Sequence, residues 1–209
     1  MQQPLRVPPS APARLVVLAS GTGSLLASLL EAAVGDYPAR VVAVGTDRDC
    51  PALEIAAAAT VPTYTVRLGD YANRDAWDAA MTAATAANEP DLIVSAGFMK
   101  ILGPHFLSRF LGRIVNSHPA LLPAFPGAHA VHDALEYGVK VTGCSVHLVD
   151  AGTDTGPILA QRPVAVLDDD DEATLHERIK IVERRLLVDV LEALATRGVT
   201  WTGGKATLG

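Results

Sequence analysis

Short apolar runs alternate with alanine-rich stretches of helical periodicity through the first half of the chain. In these runs consecutive positions are apolar, which is typical of strands that are buried on both faces of a parallel sheet. The pattern predicts strands at Arg14–Ala19, Arg40–Thr46, Pro62–Val66, Asp91–Ala96 and Ile114–Ser117. The helices predicted between and after them are Ser24–Val34, Pro51–Ala59, Arg74–Asn88 and Pro104–Phe110. This alternation indicates the α/β class: a single domain with a Rossmann-like, mixed but mainly parallel sheet flanked by helices.

The pattern changes after Pro119. Leu121–Gly127 contains two prolines and a glycine, which predicts irregular structure. Beyond it, two apolar runs joined by a short connection predict an antiparallel pair added to the sheet. The acidic run Asp168–Asp171 suits the N-terminal cap of a long final helix. The elements predicted in this half are a helix, two strands and the long helix, at Ala130–Tyr137, Val141–Val149, Ile158–Val166 and Glu172–Arg197.

Composition narrows the class of protein. The 209 residues are 49% hydrophobic and 19% charged, which excludes a chain that is disordered throughout. A formal net charge of −6 gives no basic face for general binding to nucleic acid or to an anionic membrane, so neither is expected as a partner. Cys50 and Cys144 are too few for a disulfide scaffold, and no apolar run is long enough to cross a bilayer. Residues 1–13 lack the apolar core of a secretory signal. We therefore expect a flexible proline-rich tail at 1–13, one domain at 14–209 and a cytoplasmic location.

A glycine-rich turn, Ser20–Ser24, lies between the first predicted strand and the first predicted helix. Its glycines allow a tight turn, and the amides and partial positive charge of a helix N-terminus stabilise an anion such as phosphate. A dinucleotide-binding loop would need a small residue where Leu26 stands and an acid at the end of the second strand, where Thr46 precedes Asp47. No nicotinamide cofactor is therefore expected. The residues alone leave a structural turn and a phosphate site open.

Polar residues also lie at the end of the fifth predicted strand, where ligand crevices form in open α/β sheets. Asn116 offers a neutral N–H donor, and His118 can donate or accept a proton near neutral pH. The loop Asp150–Gly156 carries two aspartates and two glycines, and the strand order brings it to the same edge. A carboxylate close to His118 would favour the imidazolium. A strand-end hydrogen bond for His118 and ordinary turn chemistry for the aspartates remain open at this point.

The combination of these segments resembles the phosphoribosylglycinamide formyltransferase family of folate-dependent formyltransferases. The motifs that carry the resemblance, in order, are Ser20–Ser24, Ala96–Leu102, Asn116–Pro123, Pro126–His129 and Asp154–Pro157. The resemblance extends from about Arg14 to the end of the long helix. It implies the formyltransferase fold, with residues 14–209 as the catalytic domain.

The resemblance also implies a reaction of purine biosynthesis. The formyl group of 10-formyltetrahydrofolate, a cosubstrate, moves to the glycine amine of 5-phosphoribosylglycinamide by direct attack and a tetrahedral intermediate, without a covalent enzyme intermediate. By match to the motif, Asn116 and His118 stabilise the oxyanion, and His118 donates a proton to the departing folate nitrogen. Asp154 would orient His118 and help to relay the proton. Family members are often dimers, so a homodimer is compatible with the resemblance.

Substrate contacts follow from the same match. The residues expected at the ribonucleotide are Gly21, Thr22, Gly23, Ser24, Leu25, Lys180 and Glu183. Leu25 departs from the family, which usually has Asn there, so only backbone contacts are expected from that position. Glu183 has independent support, because it lies about 80° from Leu175 around the helix, inside the apolar arc. An acid in that arc needs a partner, either substrate or a structural hydrogen bond.

The residues that the resemblance places at the folate are Arg74, Met99, Lys100, Ile101, Leu102, Asn116, Asp150, Ala151, Gly152, Thr153 and Asp154. The family often has Arg where Lys100 stands. His129 and His132 flank the Pro-Gly turn, so either could lie near the site. The remaining histidines, His105, His147 and His176, are interpreted as structural. No metal site is predicted, since His and Cys do not occur at ligand spacing.

Three alternatives are weighed against this reading. A methionyl-tRNA formyltransferase would need a substantial domain after the long helix, where about a dozen residues follow. A formyltetrahydrofolate hydrolase normally carries an extra N-terminal regulatory domain, which thirteen proline-rich residues do not supply. A nucleotide-binding regulatory module could use the glycine loop without catalysis, but it gives no reason for Asn116, His118 and Asp154 to occur together.

Overall fold

The computed structural model of the protein describes residues 12–202 and 204–209. A seven-stranded sheet with the order β3-β2-β1-β4-β5-β6-β7 runs through its centre. The strands are β1 Ala13–Ala19, β2 Ala39–Thr46, β3 Thr63–Thr65, β4 Leu92–Ser95, β5 Ile114–His118, β6 Val141–Leu148 and β7 Ile158–Ala165. The first five strands are parallel to one another, whereas β6 is antiparallel to both β5 and β7. This confirms the predicted mixed, mainly parallel sheet.

Helices cover both faces of the sheet, and their bounds are α1 Ser24–Ala32, α2 Ala52–Ala58, α3 Arg74–Ala86, α4 Pro104–Arg109, α5 Ala130–Tyr137 and α6 Glu172–Arg197. Alternate side chains of β1 divide between the two faces, as a strand period of two requires. Leu15 packs in the core with α1 and α6, and Val16 packs in the core with α3 and α4. Trp77 and Met81, four residues apart on α3 and so on one face of the helix, are fully buried in the second core.

Element ends differ from the predictions by at most two residues. β1 begins at Ala13, which the prediction assigned to the tail, because the Ala13 N–H donates to Pro38 O at 2.8 Å and the residue is buried. Residues 1–11 of the predicted tail lie outside the described residues, which begin at residue 12. The predictions missed a 3-10 turn at Leu68–Asp70 and a C-terminal hairpin of β8 Val199–Thr202 and β9 Lys205–Leu208. No helix within the described ranges has the length and apolar character needed to traverse a bilayer.

A buried carboxylate joins α3 to α4. Asp78 accepts hydrogen bonds from the backbone N–H groups of Gly103, His105 and Phe106, at 2.8, 2.8 and 3.3 Å. These donors would otherwise be unpaired at the N-terminus of a short helix. Residues 96–103 connect β4 to α4. Since Asp78 binds the Gly103 N–H, it also anchors the C-terminal end of this segment.

The acidic run before α6 is a helix cap, as predicted. Asp171 accepts from the Thr174 N–H at 2.8 Å, and the Thr174 hydroxyl lies 3.0 Å from the Asp171 N–H, which completes a capping box. Asp170 pairs with Arg178 at 2.7 Å. Arg178 also donates to the Ala165 carbonyl at the end of β7 at 3.0 Å, which ties the second turn of α6 to the sheet.

Candidate active site

A cleft of about 510 Å³ opens at the carboxyl ends of the parallel strands. Six segments line it: the turn after β1, the segment after β4, the end of β5, the loop between β5 and α5 at Gly127 and Ala128, the end of β6 with the loop that follows, and one face of α6. In a doubly wound sheet this edge collects backbone amides and strand-end side chains at one place. The cleft is therefore where the fold concentrates the polar groups that the sequence singled out.

The turn after β1 has the geometry of an anion site. Gly23 has φ +75° and ψ 19° at the position before α1, a left-handed conformation that favours glycine. A Cβ at this position would lie 2.9 Å from Ala52 Cα, so the turn is also packed against α2. No side chain caps α1 and no acid lies in its first turn. The first amides of α1 thus meet the cleft without a competing carboxylate.

Ser20 ties this turn to the segment after β4. Its hydroxyl donates to Asp47 Oδ1 at 2.5 Å and accepts from the Met99 N–H at 2.9 Å. Burial raises the pKa of Asp47, but hydrogen bonds from Arg48 and Ser20 outweigh it, and the pKa lies below its ordinary value. Asp47, the acid after β2, is thus committed to protein partners.

The three predicted catalytic side chains converge in the cleft. Asn116 and His118 are two residues apart on β5 and point to the same face, while Asp154 comes from the loop after β6. His118 Nδ1 lies 3.4 Å from Asp154 Oδ2, and the imidazole is 5% exposed. Hydrogen bonding from His147 and from the Gly127 N–H outweighs burial and holds the pKa of Asp154 at about 2. Asp154 is therefore a carboxylate at neutral pH.

His147, which the sequence analysis interpreted as structural, lies in this cluster and lines the cleft. Its Nε2 lies 3.2 Å from Asn116 Nδ2 and 3.5 Å from Asp154 Oδ1, and its Nδ1 lies 2.9 Å from Leu148 O. The cause is the antiparallel register of β5 and β6, which pairs Asn116 with His147. The signal in the sequence is the alternation along Val141–Val149, which places His147 on the face opposite the core-facing Cys144, Val146 and Leu148.

The other histidines divide between the cleft and the surface. His176 lines the cleft, where it was expected to be structural, because it precedes Lys180 by one turn of α6. Burial is the main cause that lowers the pKa of His176. His105 is exposed and pairs with Asp75 at 3.1 Å, as a structural residue would. Neither His129 nor His132 lines the cleft.

Glu183 is 5% exposed and lines the cleft from α6, which confirms that it lies on the buried arc. Burial raises the pKa of its carboxyl above the ordinary value. The hydroxyl of Ser117, on the face of β5 opposite to Asn116, donates to Glu183 Oε1 at 2.6 Å. Only one of the two carboxyl oxygens has this donor, so the group retains acceptor capacity toward a ligand. Lys180 reaches the same cleft and lies 3.4 Å from Glu177.

The segment after β4 presents apolar side chains at the cleft. Met99 and Ile101 are 63% and 71% exposed, and both line the cleft together with the buried Leu102. Exposed apolar side chains in a cleft are typical of a ligand site. Arg74 lies outside the lining, where it donates to the Ile101 carbonyl and stacks over Trp77 at 5.3 Å. Arg74 therefore stabilises this segment through its backbone, on the side away from the cleft.

Nearly all of the predicted site residues thus face one space. Those that line the cleft are Gly21, Thr22, Gly23, Ser24, Leu25, Met99, Lys100, Ile101, Leu102, Asn116, His118, Asp150, Gly152, Thr153, Asp154, Lys180 and Glu183. Arg74 and Ala151 do not. In the part of the chain that the structure describes, the side chains close enough to share a metal ion are His132, Asp133 and Glu136 on α5, away from the cleft.

Comparison with known proteins agrees with this arrangement. The family model described as formyl transferase matches residues 13–191. The chain belongs to the formyl transferase family. This confirms the resemblance that the sequence motifs indicated, and with it a folate-derived formyl donor as the kind of cosubstrate that the family uses.

Individual relatives of this formyl transferase support the same assignment. The phosphoribosylglycinamide formyltransferase of Mycobacterium tuberculosis is 78% identical over 209 residues, which cover 100% of this chain and 97% of that protein. The crystal structure of glycinamide ribonucleotide transformylase 1 from Symbiobacterium toebii superposes with a TM-score of 0.91 at 39% identity, covering 94% of this chain and 93% of that one. A formyltetrahydrofolate deformylase from Pseudomonas syringae has a TM-score of 0.88 at 25% identity, covering 96% of this chain and 67% of that one.

Proposed function

We propose that this formyl transferase moves the formyl group of 10-formyltetrahydrofolate to the glycine amine of 5-phosphoribosylglycinamide, a step of purine biosynthesis, and that residues 14–209 form its catalytic domain. The observation that carries the proposal is the convergence of Asn116, His118 and Asp154 in the cleft that the glycine turn also lines. The identity of 78% to a phosphoribosylglycinamide formyltransferase supports the choice of acceptor.

The ribonucleotide lies along the turn and α6. Its phosphate accepts from the first amides of α1, where Gly23 brings the backbone close and no acid competes. Leu25 adds no side-chain donor, so this half of the phosphate site is made of backbone. The carboxylate of Glu183 accepts from ribose hydroxyls with the oxygen that Ser117 leaves free.

The folate lies on the opposite side of the reacting carbon. Its pterin packs on the apolar side chains of Met99, Ile101 and Leu102, where the ring takes the place of water. The loop Asp150–Asp154 closes the other side of that pocket. Lys100, which lies 3.9 Å from Asp47 as well as in the cleft, adds a positive charge at this end.

The chemistry follows from the three catalytic groups. The glycine amine attacks the formyl carbon, and the carbonyl oxygen gains negative charge in the tetrahedral intermediate. The Asn116 amide nitrogen, which lies 3.2 Å from His147 Nε2, carries two N–H groups and can donate one of them to that oxyanion. The bond from carbon to the folate nitrogen then breaks. The former amine loses one proton and the folate nitrogen gains one. His118 and Asp154 carry the proton from the first nitrogen to the second, so no net proton is consumed.

No side chain needs to carry the formyl group covalently. The cysteines, Cys50 and Cys144, do not line the cleft, and burial raises the pKa of the Cys144 thiol to about 12. Such a thiol does not act as a nucleophile at neutral pH. Both cysteines are free, which supports a reducing compartment such as the cytoplasm.

A second candidate is hydrolysis, because a formyltetrahydrofolate deformylase shares the fold. There water would replace the amine. An absorbance assay for tetrahydrofolate formation from 10-formyltetrahydrofolate separates the two, run with and without 5-phosphoribosylglycinamide. Transfer requires that turnover depends on the amine. Equal turnover without it would assign the protein to the hydrolases and overturn the proposal.

A further inference from the structure

The loop between β5 and α5 contacts both members of the proton-transfer pair. The Phe125 carbonyl oxygen lies 2.8 Å from His118 Nε2, and the Gly127 N–H donates to Asp154 Oδ2 at 2.8 Å. The two contacts are two residues apart on one short segment. This segment therefore sets the position of the imidazole relative to the carboxylate.

The contact with Phe125 determines which nitrogen of His118 can exchange a proton. A carbonyl oxygen only accepts, so Nε2 must carry the hydrogen in both the neutral and the charged imidazole. Nδ1 is then the atom that gains and loses a proton, and it is the atom that lies 3.4 Å from Asp154 Oδ2. Without the carbonyl, a neutral His118 could carry its hydrogen on Nδ1, facing Asp154. That nitrogen could then not accept a proton.

The backbone of Phe125 adopts an unfavourable conformation to make this contact. Its φ is +51°, in the left-handed region that a bulky side chain rarely occupies. Such a conformation persists only where surrounding contacts hold it, and it is frequent at functional sites. The contact available here is an edge-on aromatic pair: the Phe125 and Tyr137 ring centroids are 6.0 Å apart at an interplanar angle of 64°.

Tyr137 has no other evident reason to be aromatic. It is the last residue of α5 and 80% exposed, and within the described residues its hydroxyl makes no hydrogen bond. Its ring nevertheless packs against Phe125, outside the cleft. Tyr137 thus stabilises Phe125 from the solvent side without contacting any part of the proposed substrate site.

We propose that Phe125 is a positioning residue for proton transfer: its carbonyl holds His118 in the tautomer with hydrogen on Nε2, and packing against Tyr137 holds that carbonyl in place. The inference rests on the proposed function of His118 in formyl transfer. Phe125 and Tyr137 act through the imidazole, so their effect belongs to turnover and not to the binding of either substrate.

The test compares Tyr137→Ala with Tyr137→Phe, which keeps the ring and serves as the matched control. Because Tyr137 is exposed, both variants should fold. We expect Tyr137→Ala to lower kcat about tenfold, since small misplacements of a catalytic group have effects of this size or larger. Both KM values should stay within about twofold of the parent protein. Tyr137→Phe should restore full turnover. Loss in both variants, or a change confined to KM, would overturn the proposal.

A second readout needs no activity. Nitrogen-15 chemical shifts of the His118 ring report which nitrogen carries the hydrogen, and we expect the Nε2–H form in the parent protein and in Tyr137→Phe. Tyr137→Ala and Phe125→Gly, which keeps the left-handed backbone but lacks the ring, should show a mixture of both tautomers. An unchanged tautomer in both would contradict the proposal. If the tautomer changes but no formyl transfer occurs in any variant, the proposed reaction fails while the positioning role stands.

Discussion

The two ends of the cleft are built in different ways. At the ribonucleotide end, one continuous segment, Gly21–Leu25, offers backbone amides at the start of α1. At the catalytic end, Asn116, His118 and Asp154 come from a strand and a distant loop, and their contacts run to further segments. A backbone site depends on conformation and tolerates a change of side chain, such as Leu25. A side-chain site depends on residue identity and on the tertiary structure that assembles it.

The largest effects are therefore expected at the catalytic end. We expect His118→Ala and Asp154→Asn each to lower kcat about a thousandfold or more, because each removes a group that moves the proton. Steady-state kinetics measures the loss, and circular dichroism checks the fold. His105→Ala, a change at an exposed histidine outside the cleft, is the control and should leave kcat unchanged. Near-normal turnover in His118→Ala would remove it from the mechanism.

Asn116→Ala should follow, with a loss of about a hundred- to thousandfold in kcat, the range for one oxyanion donor. The loss should appear in kcat and in kcat/KM to a similar extent, since the second N–H of the amide is used only in the transition state. A rise in KM with kcat unchanged would show instead that Asn116 only binds folate.

The ribonucleotide end should respond to backbone changes. Gly23→Ala forces a left-handed φ on a residue with a side chain and drives a Cβ toward Ala52, so we expect a loss of about 1–3 kcal/mol in the free energy of unfolding. The KM for the ribonucleotide should rise and the KM for folate should not. Gly21→Ala is the matched control, because a Cβ there meets no atom within 4 Å and its φ is not left-handed. Equal effects of the two changes would contradict a conformational role for Gly23.

The smallest expected effect on the fold is at Glu183. Because burial raises its pKa, the folded state binds a proton more tightly than the unfolded state. The stability that Glu183 contributes is then present below the unfolded pKa and lost as pH rises through the folded pKa. Glu183→Gln should therefore stabilise the unliganded protein at neutral pH by roughly 1 kcal/mol relative to the parent protein, and less at pH 4.

Thermal unfolding at both pH values measures this difference. Calorimetric titration adds the functional side: Glu183→Ala should weaken binding of the ribonucleotide more than binding of the folate. Equal loss for the two ligands would mean that Glu183 serves only as the acceptor for Ser117.

Local patterns determined the features that were predicted correctly. The alternation of apolar runs and helical stretches indicated β1 to β7 and α1 to α6, because burial on one or both faces leaves a period in the sequence. The glycine turn is contiguous, so its conformation and its place before a helix follow from neighbouring residues. The buried position of Glu183 follows from the helical period, and its 5% exposure confirms it.

The C-terminal hairpin could have been predicted and was not. A Gly-Gly pair at 203–204 between two short runs that contain Val199 and Leu208 is a recognised hairpin signal. The runs are short and only partly apolar, so the period of two was weak. β9 packs against α6 and β7, and this tertiary contact is not encoded in the two runs themselves.

Tertiary structure alone decided the surroundings of His118. His147 meets Asn116 because β5 and β6 pair in one antiparallel register, across 31 positions of the chain. Phe125 meets His118 because an irregular loop returns to the strand it left. The alternation along β6 puts His147 on the face opposite the core, but which residue it meets depends on how separate segments pack against one another. The sequence by itself determined which elements form and which chemical groups are present, whereas the packing of the folded chain decided which atoms share a proton.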